Sequence, residues 1–521
     1  MTDRQPATPG EDLPASAEVE AAGAGGQNVT EQATSGVLWL TVQKWVVRLV
    51  GFVTIAVLTR LLTPESFGVV AAAGTVLPFF NLIVDLGFAA YIVQADDPDE
   101  GVLSTGFWFS AIAGVVLCGA LVGIAPLLGL VFRDAQVVPV LQALAACVLL
   151  IGLSSVPIAL LRRAMRFRTL AWQGAVAAVV SQIGAIILAV QGFGVWALVG
   201  QTLISPAIVC VLSWRSVNWR PRLLFSRRDF ATMARFGSQV LGVEFVAMTR
   251  AWAEAAIVSG TLGMAGLGYL NIAQRIVQIT QDLTGGAVVP VSTVAFAKVR
   301  ESGERLRAAY VRALRVTYAA MSPPLTLLAI SAPLVVPIVF GDGWSPSYQV
   351  AQVLALAATL TVGAALDHGL FYGLGKPGQW FWFALITDAV TVGVTALTAQ
   401  YGLVAIALGF LAVAMTATFV RWFLVARLID ATPAVVVRPF GFLVTAVVVP
   451  GAAGLGVLAW SAQLPPLVSV LLAGVAVLAC YLVVLRVLAR DVIGEFGRVI
   501  RRFGWFRRRP FGLTVKEDPR A

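Results

Sequence analysis

Apolar residues run along the chain in long blocks from residue 36 to residue 488, each block ended by a short polar or basic stretch. A run of about 20 apolar residues makes a helix long enough to cross a bilayer. The blocks predict spans near 36–59, 66–92, 103–132, 137–161, 169–190, 194–214, 231–259, 266–294, 313–340, 348–373, 378–399, 402–428, 436–461 and 464–487. The expected class is all-α: a polytopic membrane protein of about 14 transmembrane helices, with two pseudo-twofold-related six-helix lobes and a C-terminal helix pair.

Composition excludes the alternative of a soluble fold. Of 521 residues 59% are hydrophobic and 12% charged, with mean hydropathy +0.86, whereas soluble domains carry roughly a quarter charged residues. Residues 1–35 differ, holding Asp3, Glu11, Asp12, Glu18, Glu20 and Glu31 against the single base Arg4. That stretch is expected to be a disordered acidic tail. It lacks the basic start and apolar core of a cleavable signal peptide, so the first span is expected to insert as an uncleaved anchor. The four cysteines lie inside apolar runs with neither metal nor disulfide spacing.

Charge placement predicts orientation. One set of alternate connections carries Arg162, Arg163, Arg166 and Arg168, then Arg215 to Arg235, Lys298 to Arg315, Lys376, and Arg421, Arg427 and Arg438. The opposite set holds only Arg60 and Arg133. Excess Lys and Arg marks the cytoplasmic side, which predicts that both termini face the cytoplasm. The run Arg501 to Arg509, interleaved with Phe503, Trp505 and Phe506, is expected to adhere to anionic membrane lipids rather than nucleic acid.

The chain repeats itself with a period near 200 residues: Leu62 to Gly68 aligns with Leu262 to Gly268, Val140 to Ala145 with Val350 to Ala355, and Gly194 to Gly200 with Gly402 to Gly409. Six spans separate one copy from the next, so both share one orientation, and parallel halves imply a cavity between them. The expected organisation is an acidic cytoplasmic tail (1–35), an N-lobe of spans one to six (36–214), a basic interfacial linker (215–230), a C-lobe of spans seven to twelve (231–428), a C-terminal helix pair (429–488) and a basic cytoplasmic tail (489–521).

Charges at membrane depth are costly and face protein, water or a partner. Those placed inside spans are Lys44, Arg48, Arg250 and Arg275 against Asp85, Glu244, Glu254, Asp282, Asp367 and Asp388. Most fall in spans one, two, seven and eight, the equivalent first pairs of the two repeats. Lys44 and Arg48, Asn81 and Asp85, and Arg250 and Glu254 each stand four residues apart, on one helical face. Asn271, Gln274, Arg275, Gln278, Gln281 and Asp282 form a continuous polar stripe. Together these residues, Asp367 and Asp388 excepted, are the candidates for lining a substrate cavity, and Asp85, Glu254, Asp282 and Asp388 are candidates for cation coupling. Two readings stay open: the charges pair and hold the halves together, or they line a wet chamber in which arginines meet phosphate.

Thr59 to Gly68, Trp219-Arg220-Pro221-Arg222 with Phe225-Ser226 and Phe236-Gly237, and Phe340 to Pro346 resemble elements of the Wzx-type polysaccharide flippases. These belong to the multidrug/oligosaccharidyl-lipid/polysaccharide exporter superfamily, and the nearest branch is that of exopolysaccharide and teichuronic-acid exporters. The resemblance covers about residues 36 to 430. It implies alternating access and translocation of undecaprenyl-pyrophosphate-linked oligosaccharide from inner to outer leaflet, with a polysaccharide polymerase and glycosyltransferases as neighbours. A cation-coupled small-molecule or drug antiporter of the same superfamily and a lipid II flippase are the alternatives. An enzyme such as a membrane polymerase would need catalytic residues in a substantial outward loop, which the short outward connections do not provide, so no catalytic residue is expected. No cofactor is expected either, and the only histidine, His368, cannot anchor a metal cluster.

Overall fold

The computed structural model describes residue 43 and residues 45–95, 98–285 and 288–489, the side chains of 236–244, 283–291 and 293–294 excepted. Among these residues all regular structure is helical. In chain order the helices are α1 (45–61), α2 (Pro64–Asp85), α3 (Phe88–Gln94), α4 (Glu100–Phe132), α5 (Val137–Arg163), α6 (Phe167–Val190) and α7 (Val195–Ser216). The second half holds α8 (Arg227–Gly285), α9 (Val288–Val299), α10 (Gly303–Phe340), α11 (Pro346–Gly373), α12 (Pro377–Thr398) and α13 (Leu403–Leu428), followed by α14 (Pro433–Trp460) and α15 (Pro466–Leu488). Twelve described helices are long and apolar enough to span a bilayer. Large apolar side chains such as Leu130, Val116 and Val475 stand exposed on their flanks, as a lipid-facing surface requires.

The predicted repeat is visible in where helices break. In the first half α1 stops before Thr63, whose side chain caps Ser66 N at 3.4 Å, and Pro64 opens α2. In the second half α8 is interrupted at Gly263, with φ 72° and ψ 178°. That conformation is essentially reserved for glycine, and it divides α8 into a first arm and a second arm. The span predicted at 66–92 is likewise divided, because Leu86 (φ 42°) and Gly87 (φ 71°) end α2 and start α3.

Packing order repeats as well. In the first half α4 lies on α5, α5 on α7 and α6 on α7; in the second α10 lies on α11, α11 on α13 and α12 on α13. The core follows the same rule, since α5 and α11 are the most deeply buried spans. The two halves meet chiefly where α2 packs on α8, while α14 and α15 pack together and against α10.

The segment expected to lie at the interface between halves is strapped to α4. Trp108 Nε1 donates to Arg222 O (2.7 Å), Ser226 N donates to Thr105 Oγ1 (2.9 Å), and Arg222 pairs with Glu100 at 2.6 Å. Leu223 and Phe225 beside it remain exposed, which leaves them free to enter a headgroup layer.

Candidate translocation cavity

The polar stripe of the second arm of α8 is the structural centre of the site. Steps of three and four residues put its side chains on neighbouring rows, and the rows face two different cavities. Arg275 and Asp282 line a cavity of about 220 Å³ at the seam of the halves, together with Arg48 and Gly51 of α1, Gln182 of α6 and Gln201 of α7. Gln274 and Gln281 line a second cavity of about 340 Å³ inside the second half, with Arg250, Glu254 and Asp388. Gln278 lines both.

In the seam cavity Arg48 bridges the halves. Its Nη1 donates to Asp282 O at 2.9 Å and its Nη2 pairs with Asp282 Oδ2 at 3.3 Å. Thr54 Oγ1 donates to Gln182 Oε1 at 2.9 Å, fixing that amide at the cavity edge. Arg275 stands exposed in the same cavity and takes part in none of the ion pairs among the described residues. The cavity therefore combines an arginine already neutralised by Asp282 with one available to an anion, and amides suited to hydroxyl groups.

The second cavity is organised around Arg250. Its Nη1 contacts Glu254 Oε1 at 2.7 Å and its Nε contacts Asp388 Oδ1 at 3.1 Å. The i, i+4 spacing on the first arm brings Glu254 to it, and α12 packing on α8 brings Asp388. A guanidinium thus occupies the position between two carboxylates where a cation would otherwise be held.

The remaining described candidates lie apart from these cavities. Asp85 accepts a hydrogen bond from Ser155 Oγ of α5 at 2.6 Å, which ties α2 within the first half. Asn81 Oδ1 is buried without a hydrogen-bond partner among the described residues, and Asn271 is half-buried outside both linings. Lys44 and the side chain of Glu244 lie outside the described residues. Among the described residues no group of three His, Cys, Asp or Glu side chains could hold a metal ion.

Two features were not legible from the sequence. Gln201 is the single amide of α7, and Gln182 stands nine residues from Gln173 on the opposite side of α6, so neither forms a stripe that marks a wet face. Arg421, assigned above to a cytoplasmic connection, is instead buried in α13, where its Nε pairs with Asp367 Oδ2 at 3.1 Å. Tyr310 Oη donates to the other oxygen of Asp367 at 2.6 Å. This buried triad fastens α10, α11 and α13 and lines neither cavity.

At the base-poor end of the bundle the halves are fastened shut. Arg60, in the last turn of α1, donates to Ile338 O of α10 at 2.6 Å, and Arg133, just after α4, donates to Gly260 O of α8 at 3.0 Å. Trp344 Nε1 donates to Thr59 O at 2.8 Å, and its ring meets Phe67 edge-on.

A family profile described as polysaccharide biosynthesis protein matches residues 57–349, which include the closed end and the whole polar stripe. The chain belongs to that family. It is 28% identical over 73% of its length to 77% of the succinoglycan biosynthesis transport protein ExoT of Rhizobium meliloti (strain 1021). It is 23% identical over 77% of its length to 82% of the lipopolysaccharide biosynthesis protein WzxC of Escherichia coli (strain K12). Among solved structures, the lipid II flippase MurJ in an inward closed conformation superimposes with TM-score 0.70 at 14% identity, covering 88% of this chain and 100% of that one. That likeness shows the fold, a helical bundle covering most of the chain.

Proposed function

We propose that the chain flips a lipid-linked oligosaccharide, a polysaccharide repeat unit on a polyprenyl pyrophosphate, from the inner to the outer leaflet by alternating access. The observation that carries this reading is the seam cavity, where Arg275 and the amides Gln182, Gln201 and Gln278 stand at membrane depth between the halves. A planar guanidinium suits phosphate oxygens and amides suit sugar hydroxyls. The lipid tail stays in the bilayer while the headgroup occupies the cavity. The fastened end at Arg60 and Arg133 then opens as the halves rock.

Dividing α8 at Gly263 and adding α1 to the twelve long apolar helices makes fourteen spans. With bases concentrated on one side, the positive-inside rule puts both termini in the cytoplasm of a bacterial inner membrane and the fastened end outward. Residues 36–214 and 231–428 then act as the two moving lobes, joined by 215–230, with 429–488 outside the repeat. The acidic segment 1–35 and the basic segment 489–521 lie on the cytoplasmic side. Chemistry on the glycan itself belongs to neighbouring glycosyltransferases and a polymerase, and the chain performs none.

Arg250 bears on the coupling question. Among the described acids proposed for cation coupling, Glu254 and Asp388 share Arg250, Asp282 pairs with Arg48 and Asp85 accepts from Ser155. At Arg250 the protein supplies its own cation between two carboxylates.

Deleting the gene tests the function. A lipid-linked oligosaccharide should accumulate on the cytoplasmic leaflet and surface polymer should fall; unchanged export with no accumulating precursor would overturn the proposal.

A further inference from the structure

We propose that the groove between α12 and α13 binds a resident anionic phospholipid of the leaflet on the base-rich side. The inference rests on the proposed membrane orientation but not on the identity of the transported glycan. The groove encloses about 900 Å³. Lys376, Gln379 and Arg427 stand at its base-rich end, and beyond them Trp382, Phe383, Ile386 and Val390 of α12 face Val413, Val420 and Leu424 of α13.

Charge complementarity selects the headgroup. No acid lines the groove, and neither Lys376 nor Arg427 joins the ion pairs among the described residues. Lys376 is also the N-cap of α12, so the positive end of a long helix adds to the field at the same point. A phosphodiester anion placed there meets three favourable charges.

Length selects the tail. From Lys376 to Val390 the groove follows α12 for about 21 Å at 1.5 Å per residue. One leaflet contributes roughly 15 Å of hydrocarbon, so a headgroup at the bases leaves an acyl chain lying along Trp382, Ile386 and Val390. Those side chains are exposed on the bilayer flank.

The same geometry disfavours the transported lipid as occupant. Its phosphate must change depth during translocation, whereas bases fixed at one end of a groove hold a phosphate at one depth. The groove also meets the Arg250 cavity, because Thr387, Val413 and Ala417 line both. The bound chain therefore forms the lateral wall that separates the Arg250, Glu254 and Asp388 cluster from the bilayer.

The test is native mass spectrometry of the full chain, delipidated in mild detergent and titrated with phosphatidylglycerol or phosphatidylcholine. Two bases at headgroup depth predict a preference for the anionic lipid of roughly tenfold or more. Lys376→Gln with Arg427→Gln should bring the two lipids within about twofold of each other, while Arg228→Gln, an exposed base elsewhere, should leave the preference intact. Thr416→Trp, which fills the groove without touching its charges, should abolish the tight adduct of either lipid. Full preference in the double variant, or an undiminished adduct in Thr416→Trp, would overturn the proposal. So would displacement of phosphatidylglycerol by an equimolar polyprenyl phosphate, which would make the groove a site for the substrate's tail. None of these readouts depends on polymer export.

Discussion

Gly68 packs against the carbonyl of Met264, and Gly268 packs against the carbonyl of Pro64. A Cβ built on Gly68 would lie 1.8 Å from Met264 O, and one built on Gly268 would lie 2.1 Å from Pro64 O. The two contacts exchange when each residue number moves by one repeat of 200, so α2 and the second arm of α8 cross about a local twofold axis. Small residues are what allow two membrane helices to approach this closely. The arginine latches obey the same relation. Arg60, in the last turn of α1, reaches the end of α10, while Arg133, just after α4, reaches the first arm of α8, the repeat equivalent of α1.

Substitution at either glycine should therefore cost about the same. Gly68→Val and Gly268→Val are each expected to lower thermal stability in detergent, by about 1–3 kcal/mol for overpacking. Gly74→Val in α2, which meets nothing within 4 Å, should leave stability unchanged. Unequal losses at the two glycines would argue against the local symmetry.

The latches predict accessibility. Arg60→Gln with Arg133→Gln removes both arginine-to-carbonyl contacts between the halves at the base-poor end and leaves the Trp344 contact to Thr59 O in place. Leu62→Cys, buried beneath that end, should then react faster with a membrane-impermeant thiol reagent added outside, when Cys118, Cys147, Cys210 and Cys480 have been replaced. An unchanged rate would mean that the latches do not hold the outer face closed.

The Asp367, Arg421 and Tyr310 triad should behave as structure. Arg421→Ala strands a buried carboxylate, a change that costs about 3–5 kcal/mol, and is expected to reduce the amount of folded protein in the membrane. Removing both charges together, Asp367→Asn with Arg421→Gln, should recover much of the lost protein. Full protein levels with lost transport in Arg421→Ala would instead assign the triad to the transport path.

Arg250 should act as an internal counter-ion. Thermal stability of the unaltered protein is expected to be the same in sodium and potassium chloride. Arg250→Met leaves Glu254 and Asp388 facing each other without a cation, so its stability should depend on added monovalent cation. Equal sodium dependence before and after the substitution would contradict this role.

Much of this architecture could be read from the residues, because membrane spans need long apolar runs and a repeat preserves order. The break predicted by aligning Leu62 to Gly68 with Leu262 to Gly268 falls where Thr63 and Gly263 interrupt the helices. The polar stripe from Gln274 to Asp282 likewise lies on the cavity linings, since helical spacing alone puts those residues on one side. The arginine latches between the halves were not legible. Arg60 and Arg133 look like ordinary loop bases because their partners are carbonyls, which carry no residue signature. Arg421 lies six residues from Arg427 on α13, and only packing shows that one is buried and the other exposed. Asp85 fits the spacing of a cavity face, yet Ser155 draws it into the first half.

The central claim is that Arg275 meets the anionic headgroup in the seam cavity, and the leaflet distribution of the lipid-linked oligosaccharide in cells carrying Arg275→Ala tests it most directly. The account predicts normal levels of the altered protein, precursor trapped on the cytoplasmic leaflet, and surface polymer lowered at least tenfold, the loss of about one charge-assisted phosphate contact. Wild-type polymer with an unaltered precursor distribution would contradict it.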